Sequence, residues 1–396
     1  MAETVRHLVF TPAALAVVAQ GNAGPRFRVR LRDQGDLGVV DGAPGDDLVV
    51  LPADSGTGEP GPDEAGLLAV CRVEDGGLTC RSPSGEPIGT TLVPAGADAF
   101  DRVRGIFETD VLRDKGVAVL GLGSGGSFIV RELAKAGVGR FLLLDHDRLE
   151  VGNISRHECG LDDVGRLKVN ALRDLVRRHH SAARIVTSDL RVSGETWSEL
   201  RELVRALPAD VVICATDNRE SRLLINRLCL EEDVPLVLGG VFRRAYGGVV
   251  QRVVPGLTAC YQCFVSALPE QAGDNEISSG DEAARVSYTD RTVQPQPGLS
   301  TDILPIALHM AKLALVELLD GESPAFASLS ADLVAPVHQW INRRELAHAG
   351  LEPMGVGVDR LSVLRWYGVL LQRLPDCRAC SRQHAEIQDE FFGAPS

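Results

Sequence analysis

Two sets of residues in this chain have the types and spacing to do chemistry. The first opens with Gly121-Leu122-Gly123-Ser124-Gly125-Gly126, which follows an apolar run and precedes a helix-like pattern. Gly121, Gly123 and Gly126 match the spacing G-x-G-x-x-G. A tight turn and a close approach of backbone to phosphate both exclude a Cβ, and the start of the following helix attracts an anion. Gly125 stands outside the minimal pattern, and its lack of a side chain keeps the turn open. Asp145 lies 19 residues after Gly126, where an acid hydrogen-bonds a ribose hydroxyl. To this point the pattern fits NAD as well as any other nucleotide.

The residues that follow favour a different ligand. Asn153, Arg156 and Lys168 place an amide and two cations just beyond the ribose acid. A hydride carrier does not need them. Transfer at a phosphorus does, because negative charge moves onto the leaving pyrophosphate. Asp217, in "CATDN", stands at the carboxyl end of a further strand, the usual ligand rim of an open α/β sheet. A carboxylate there can hold Mg²⁺ against phosphate oxygens. Taken singly, Arg156 and Lys168 read as solvated charges and Asp217 as a helix cap. Their order and spacing carry the argument.

The second set is two Cys-x-x-Cys pairs, Cys260/Cys263 and Cys377/Cys380. Four thiolates build a closed tetrahedral Zn²⁺ site, a structural type because no coordination position stays open. The 113 residues between the pairs are more than a compact zinc ribbon has, and two unrelated thiol pairs remain an alternative. A thioredoxin-like redox role is disfavoured, since neither pair reads as the start of a helix after a strand.

The elements that must position these residues alternate from Val117 onward. Apolar strands such as "VAVLGLG", "RFLLLDHD", "DVVICATDN" and "PLVLGGV" are separated by amphipathic helical patterns. The fold class expected is α/β: a Rossmann-like, doubly wound, mostly parallel sheet covered on both faces. Residues 1–97 read as a separate, β-rich domain of α+β type, and residues 98–396 as the nucleotide-binding domain. "RFRVRLRDQG" alternates with period two, and "AGLLAVCRVEDGGLTCRSPSG" reads as a hairpin across Asp75-Gly76-Gly77. Cys71 and Cys80 flank that turn and can sit close together, with ordinary core or surface residues as the plainer reading. Residues 82–98 have a linker's composition, and residues 99–116 carry apolar positions at helical spacing.

The stretch "GLGSGGS…LLLDHDRLEVGNISRHE…DVGRLKV…CATDN" resembles the ThiF/MoeB/HesA type of adenylating enzyme, the superfamily of the ubiquitin-activating enzymes. The resemblance covers residues 99 to about 382. It implies binding of Mg·ATP and adenylation of the C-terminal carboxylate of a small protein or peptide. By the same resemblance Asp145 is the ribose acid and Asp147 the second acid of its motif. Asn153, Arg156 and Lys168 bind phosphate, and Asp217 is the magnesium-linked aspartate. "DRVRGI" is similar to a segment whose arginine, here Arg104, reaches ATP from the partner of a homodimer. The segment departs from that pattern at Asp101, Arg102 and Gly105. The family places its structural zinc on cysteines at the positions of Cys260, Cys263, Cys377 and Cys380. Many relatives also carry an acyl-accepting cysteine in the loop after the first knuckle, whereas residues 264–376 here contain none. The adenylate would then pass to another nucleophile, and the resemblance to cysteine-free members that modify ribosomal peptides implies that residues 1–97 serve as an added peptide-gripping domain. Two rivals are an activating enzyme for a ubiquitin-like protein whose cysteine is relocated or supplied in trans, and an NAD-binding or inactive scaffold.

Composition bounds the remainder. The chain has 396 residues, 44% hydrophobic, and a formal charge of −13, which argues against sequence-independent nucleic-acid binding. No apolar run is long enough to span a membrane, and the first residues lack a signal peptide's apolar stretch. The expectation is a cytoplasmic protein with no membrane or nucleic-acid partner. Cys214 and Cys229 read as core residues. Cys159, just after Arg156, falls near the nucleotide, though not as a nucleophile. The Gly/Asp/Ser/Pro-rich residues 267–298 read as a loop over the nucleotide, and Arg243 or Arg244 as lining the groove that leads to it.

Overall fold

A computed structural model of the chain describes residues 5–20, 24–51, 67–74, 77–93, 100–103, 109–268, 298–322, 324–343 and 363–381. The chain forms two compact units, Met1–Asp98 and Ala99–Ser396.

The first unit is a closed barrel of β1 (His7–Phe10), β2 (Arg26–Arg32), β3 (Leu37–Pro44), β4 (Leu48–Leu51), β5 (Ala69–Glu74), β6 (Gly77–Arg81) and β7 (Pro87–Leu92). Its strand order is β1-β3-β2-β4-β5-β6-β7. The period-two pattern of β2 has a direct physical meaning: Phe27 and Val29 point into the barrel while Arg26, Arg28 and Arg30 point out. With Leu8, Phe10, Val40 and Leu48 they make a small apolar core. Helix α1 (Pro12–Ala19) starts at Thr11, whose side chain accepts from Ala14 N–H, with proline in the first turn. Residues 87–92 are no linker. They form β7, which closes the barrel by pairing with both β1 and β6. Its Gly, Pro and Thr content concealed a strand whose stability comes from two flanking ladders. Cys71 and Cys80 are directly opposed across the β5–β6 hairpin and form a disulfide.

The second unit is an eight-stranded sheet of β8 (Gly116–Leu120), β9 (Arg140–Leu144), β10 (Arg184–Ser188), β11 (Val211–Cys214), β12 (Leu236–Val241), β13 (Gly247–Val253), β14 (Val337–Ile341) and β15 (Arg365–Val369). The order is β10-β9-β8-β11-β12-β13-β14-β15. Pairing is parallel from β10 to β12 and antiparallel from β12 to β15. The antiparallel half modifies the mostly parallel expectation. Residues 242–246 are too short for a crossover and can join only antiparallel neighbours.

The helices are α2 (Thr109–Arg113), α3 (Ser124–Ala136), α4 (Lys168–His179), α5 (Trp197–Ala206), α6 (Arg219–Glu231), α7 (Tyr261–Ala267), α8 (Ser300–Leu318) and α9 (Pro324–Asp332). Alternate residues of β8 feed the two layers they build. Val117 and Val119 pack with Ile129 and Leu133 of α3, Leu172 of α4 and Met310 of α8. Ala118 and Leu120 pack with Leu200 of α5, Ile225 and Leu228 of α6 and Phe264 of α7. All five β8 residues are buried, as a central parallel strand requires.

Candidate functional site

The chain runs β8 to β9 to β10 on one side, then returns to place β11 on the other side of β8. That reversal opens a crevice at the carboxyl ends of β8 and β11, where open α/β sheets take their ligands. The glycine loop sits at its lip. Gly121 has a φ of +91°, and a Cβ there would lie 2.7–2.8 Å from backbone atoms of Ala215 and Thr216, just beyond β11. A Cβ on Gly126 would stand 2.0 Å from the Gly121 carbonyl oxygen. Both glycines are therefore demanded by the fold. Gly123, the residue preceding α3, has a φ of −70° and no atom within 4 Å of its Cβ position. No neighbouring residue of the fold requires it, and an open backbone at the start of a helix has room for an anion. Gly125 meets only the Ala307 methyl, at 3.8 Å, so its place is beside α8 at ordinary contact distance.

Asp145 and Asp147 follow β9. Asp145 is 8% exposed, and its two oxygens accept from Leu122 N–H (2.6 Å) and Asp147 N–H (2.9 Å). This carboxylate thus holds the glycine loop itself. Lys168, first residue of α4 and 7% exposed, places Nζ 2.7 Å from Asp147 Oδ2 and 3.9 Å from Asp145 Oδ1. Burial works to raise the Asp147 carboxyl, but the Lys168 hydrogen bond and charge, with the charges of His146 and Arg191, outweigh it. The net effect holds Asp147 below the ordinary carboxylate value.

Asn153 and Arg156 lie on a 3₁₀ turn, Val151–Arg156. The Asn153 side chain accepts from Glu150 N–H at 3.0 Å, which fixes its carbonyl end and leaves its amide hydrogens to point elsewhere. Asp217 is exposed just after β11. The cap of α6 is its neighbour Asn218, whose side chain accepts from Ser221 N–H at 2.8 Å. Asp217 is thus released from the capping role, and among the described residues it has no hydrogen-bond partner. An exposed carboxylate without internal partners suits a magnesium ion carried in with phosphates. Arg104 and most of residues 267–298 lie outside the described residues, as does the Arg243 side chain. Arg244 is exposed.

Sequence reasoning passed over His157. It is buried, accepts Cys159 N–H on Nδ1 (3.0 Å), and lies with Nε2 2.9 Å from the Leu122 carbonyl oxygen. Only its placement across 35 residues of sequence reveals it; no motif signals it.

The four knuckle cysteines come together. Sγ–Sγ distances are 3.9 Å for Cys260–Cys263, 3.7 Å for Cys260–Cys377 and 3.5 Å for Cys263–Cys380. A tetrahedron with Zn–S bonds of about 2.3 Å has edges of about 3.8 Å, so the donor set fits a zinc ion. One expectation needs correction: Cys260 does precede a helix, capping α7 after β13. The redox reading is weakened instead by the convergence of all four sulfurs. The five other cysteines are buried. Cys71 and Cys80 are bonded, and desolvation pushes the Cys159 thiol up to about 12 and raises Cys214 and Cys229.

A cavity lined by Val111, Asp114, Lys115, Asp210 and Glu322 lies beside Gly116, at the opposite end of β8. It shares no residue with the strand-end cluster. No helix among the described residues is long and apolar enough to cross a membrane.

Residues 99–335 match the model of the ThiF family, and the chain belongs to that family. Among curated proteins it is similar to ubiquitin-like modifier-activating enzyme 5 of Caenorhabditis elegans, 30% identical over 42% of this chain and 41% of that protein. The same enzyme of Drosophila mojavensis is 31% identical over 42% and 43%. The match therefore spans less than half the length of these relatives. Among solved structures, E. coli MccB with succinimide superposes with a TM-score of 0.52 at 17% identity, covering 73% of this chain and 75% of that one. MccB with AMPCPP and MccA gives 0.50 at 17% identity, covering 72% and 75%. At that identity the likeness is one of fold.

Proposed function

We propose that this protein adenylates the C-terminal carboxylate of a small protein or peptide, using ATP and Mg²⁺. The observation that carries the reading is the buried Lys168, anchored between Asp145 and Asp147 beside a glycine loop whose Gly123 faces open space. Membership of the ThiF family supports it. So does the solved MccB complex, which holds a nucleotide analogue together with MccA.

In this reading the loop amides and the α3 start receive the phosphates, and Asp145 keeps a lone pair for the ribose. Asn153, Arg156 and Lys168 neutralise the phosphate charge, with Arg104 supplied by the second copy of a homodimer. Asp217 would hold Mg²⁺, which when bound neutralises phosphate oxygens. The attacking carboxylate is already ionised at neutral pH, so no general base is needed. Its oxygen bonds to the α-phosphorus, the α–β bridging P–O bond breaks, and pyrophosphate leaves with the negative charge. Positioning and charge stabilisation are the enzyme's contribution.

The acceptor lies outside this chain's cysteines. Cys159, Cys214 and Cys229 are buried thiols with raised pKa, and the other six are paired or clustered. A thiolate nucleophile needs exposure and a depressed pKa, so a thioester formed in cis is disfavoured against transfer to a separate nucleophile. Zinc on Cys260, Cys263, Cys377 and Cys380 is structural, residues 1–97 bind the peptide or protein partner, and the protein is cytoplasmic.

The test is ATP–pyrophosphate exchange with small proteins and peptides encoded beside this gene. A free C-terminus should support exchange, and the same peptide amidated at its C-terminus should not. Exchange that survives amidation would sink the carboxylate assignment.

A further inference from the structure

We propose that His157, as the neutral Nε2–H tautomer, is a positioning residue that locks the glycine loop to the Asn153/Arg156 segment. The inference deepens the nucleotide-site reading and rests on it.

Two hydrogen bonds determine the state of the ring. Cys159 N–H is a donor, so Nδ1 must accept and carries no proton. The Leu122 carbonyl is an acceptor, so Nε2 must donate. A protonated ring would turn a second N–H toward the Cys159 donor and lose that bond. The groups facing the ring are Lys168 at the start of α4, Asp145 after β9, and Asp163 on the 3₁₀ turn Leu161–Asp163. Burial is the largest influence and favours the neutral ring. Lys168 adds to it, while the bond to Leu122 and the two aspartates oppose it, and the net effect lowers the pKa.

The contact matters because of what it joins. Leu122 lies between Gly121 and Gly123, and its N–H is held by Asp145 while its carbonyl is held by His157. The peptide units on both sides of Leu122 are thus pinned from outside the loop, so the adjoining N–H groups keep one direction. On the other side, His157 follows Arg156 directly. The next residue, Glu158, docks on α3 through Ser127 Oγ (3.4 Å from Glu158 N) and through Arg131. The phosphate loop, α3 and the segment carrying Asn153 and Arg156 are thereby set in one register before nucleotide arrives. Such preorganisation acts on nucleotide binding and on charge stabilisation together.

The two bonds can be separated by substitution. In His157→Gln the side-chain amide can still donate to Leu122 but no longer accepts from Cys159. In His157→Asn the reverse holds. Loss of one hydrogen bond at a buried site corresponds to about two- to tenfold in an equilibrium constant. His157→Asn should raise the ATP dissociation constant, measured by calorimetry without any acyl partner, about tenfold. His157→Gln should raise it clearly less. The acid limb of wild-type ATP affinity should move to lower pH in His157→Gln, because the titrating ring is gone. A ¹⁵N-histidine spectrum should show one ring, absent in His157→Gln, held as the Nε2–H tautomer through neutral pH. Equal affinities in the two variants, or an unmoved acid limb, would overturn the proposal. These readouts use nucleotide binding and ring chemistry, so they stand apart from pyrophosphate exchange. Wild-type protein that binds ATP but fails to exchange would count against the adenylation reading and leave His157's role intact.

Discussion

Replacing Gly123 by alanine separates a glycine kept for a ligand from one kept for the fold. The Cβ added at Gly123 meets nothing within 4 Å, and φ is already negative. The folded state is therefore not strained, and the unfolded chain loses some freedom. Gly→Ala at compatible sites changes stability by about 0.4–1 kcal/mol in favour of folding, so the melting temperature of Gly123→Ala should hold or rise by about 1–3 °C. Nucleotide binding should fall instead, because the methyl occupies the space where backbone and phosphate meet. A displacement that costs one charge-assisted hydrogen bond removes about 1.5–3 kcal/mol, or roughly ten- to a hundredfold in affinity. Gly126→Ala is the control of opposite sign. Its Cβ would sit 2.0 Å from the Gly121 carbonyl oxygen, inside any van der Waals contact, and the helix start would have to move. It should melt several degrees lower even without nucleotide. Differential scanning fluorimetry of both variants, followed by ATP titration of the folded one, decides the matter. If Gly123→Ala binds ATP as well as the wild type, the phosphate does not lie against this backbone and the reasoning fails.

Asp217→Ala should abolish pyrophosphate exchange without lowering the melting temperature, whereas Asn218→Ala should cost about 1 kcal/mol of stability through loss of the α6 cap. Full exchange in Asp217→Ala would remove the magnesium assignment. Purified protein should carry about one zinc per chain, lost in Cys377→Ser/Cys380→Ser. Metal analysis finding none would remove that site. His309 Nε2 stands 2.6 Å from His338 Nδ1 beneath Trp366, and burial, with the charge of His338, pushes His309 down to about 4. Its folded pKa is depressed, so the unfolded chain binds the extra proton. The neutral pair contributes fully above pH 6.5 and is lost as pH falls from 6.5 toward 4, by about 3 kcal/mol in all. Urea unfolding across that range should be steeper in pH for the wild type than for His309→Gln. Identical slopes would refute it.

Much of the site was legible as sequence because it is written in local spacing. The glycine pattern and the acids after β9 fall within a few residues of a strand end, strand ends follow from apolar runs, and the cysteines announce themselves by their own Cys-x-x-Cys spacing. The same local rules failed where pairing partners are remote. Residues 87–92 lack a strand's composition, yet the barrel needs them to close between β1 and β6. β13 runs antiparallel to β12 because the short connection at 242–246 allows nothing else, which apolar content alone does not reveal.

What the sequence by itself determined is the inventory: a phosphate-type turn, the charges that follow it, an α/β alternation, and four thiols in two knuckles. Which member of that inventory does which job was decided only by tertiary structure. Gly126 serves the turn while Gly123 faces open space, because Gly121 and Ala215 approach one and not the other. Asn218 takes the helix cap and releases Asp217. Cys263 and Cys377, with 113 residues between them, belong to one cluster because the sheet returns the chain to the same place. His157 acquires a role because folding brings Leu122 against it. Spacing along a chain sets which side chains are neighbours on one element. Contacts between elements depend on how the layers pack, and that is a property of the whole fold.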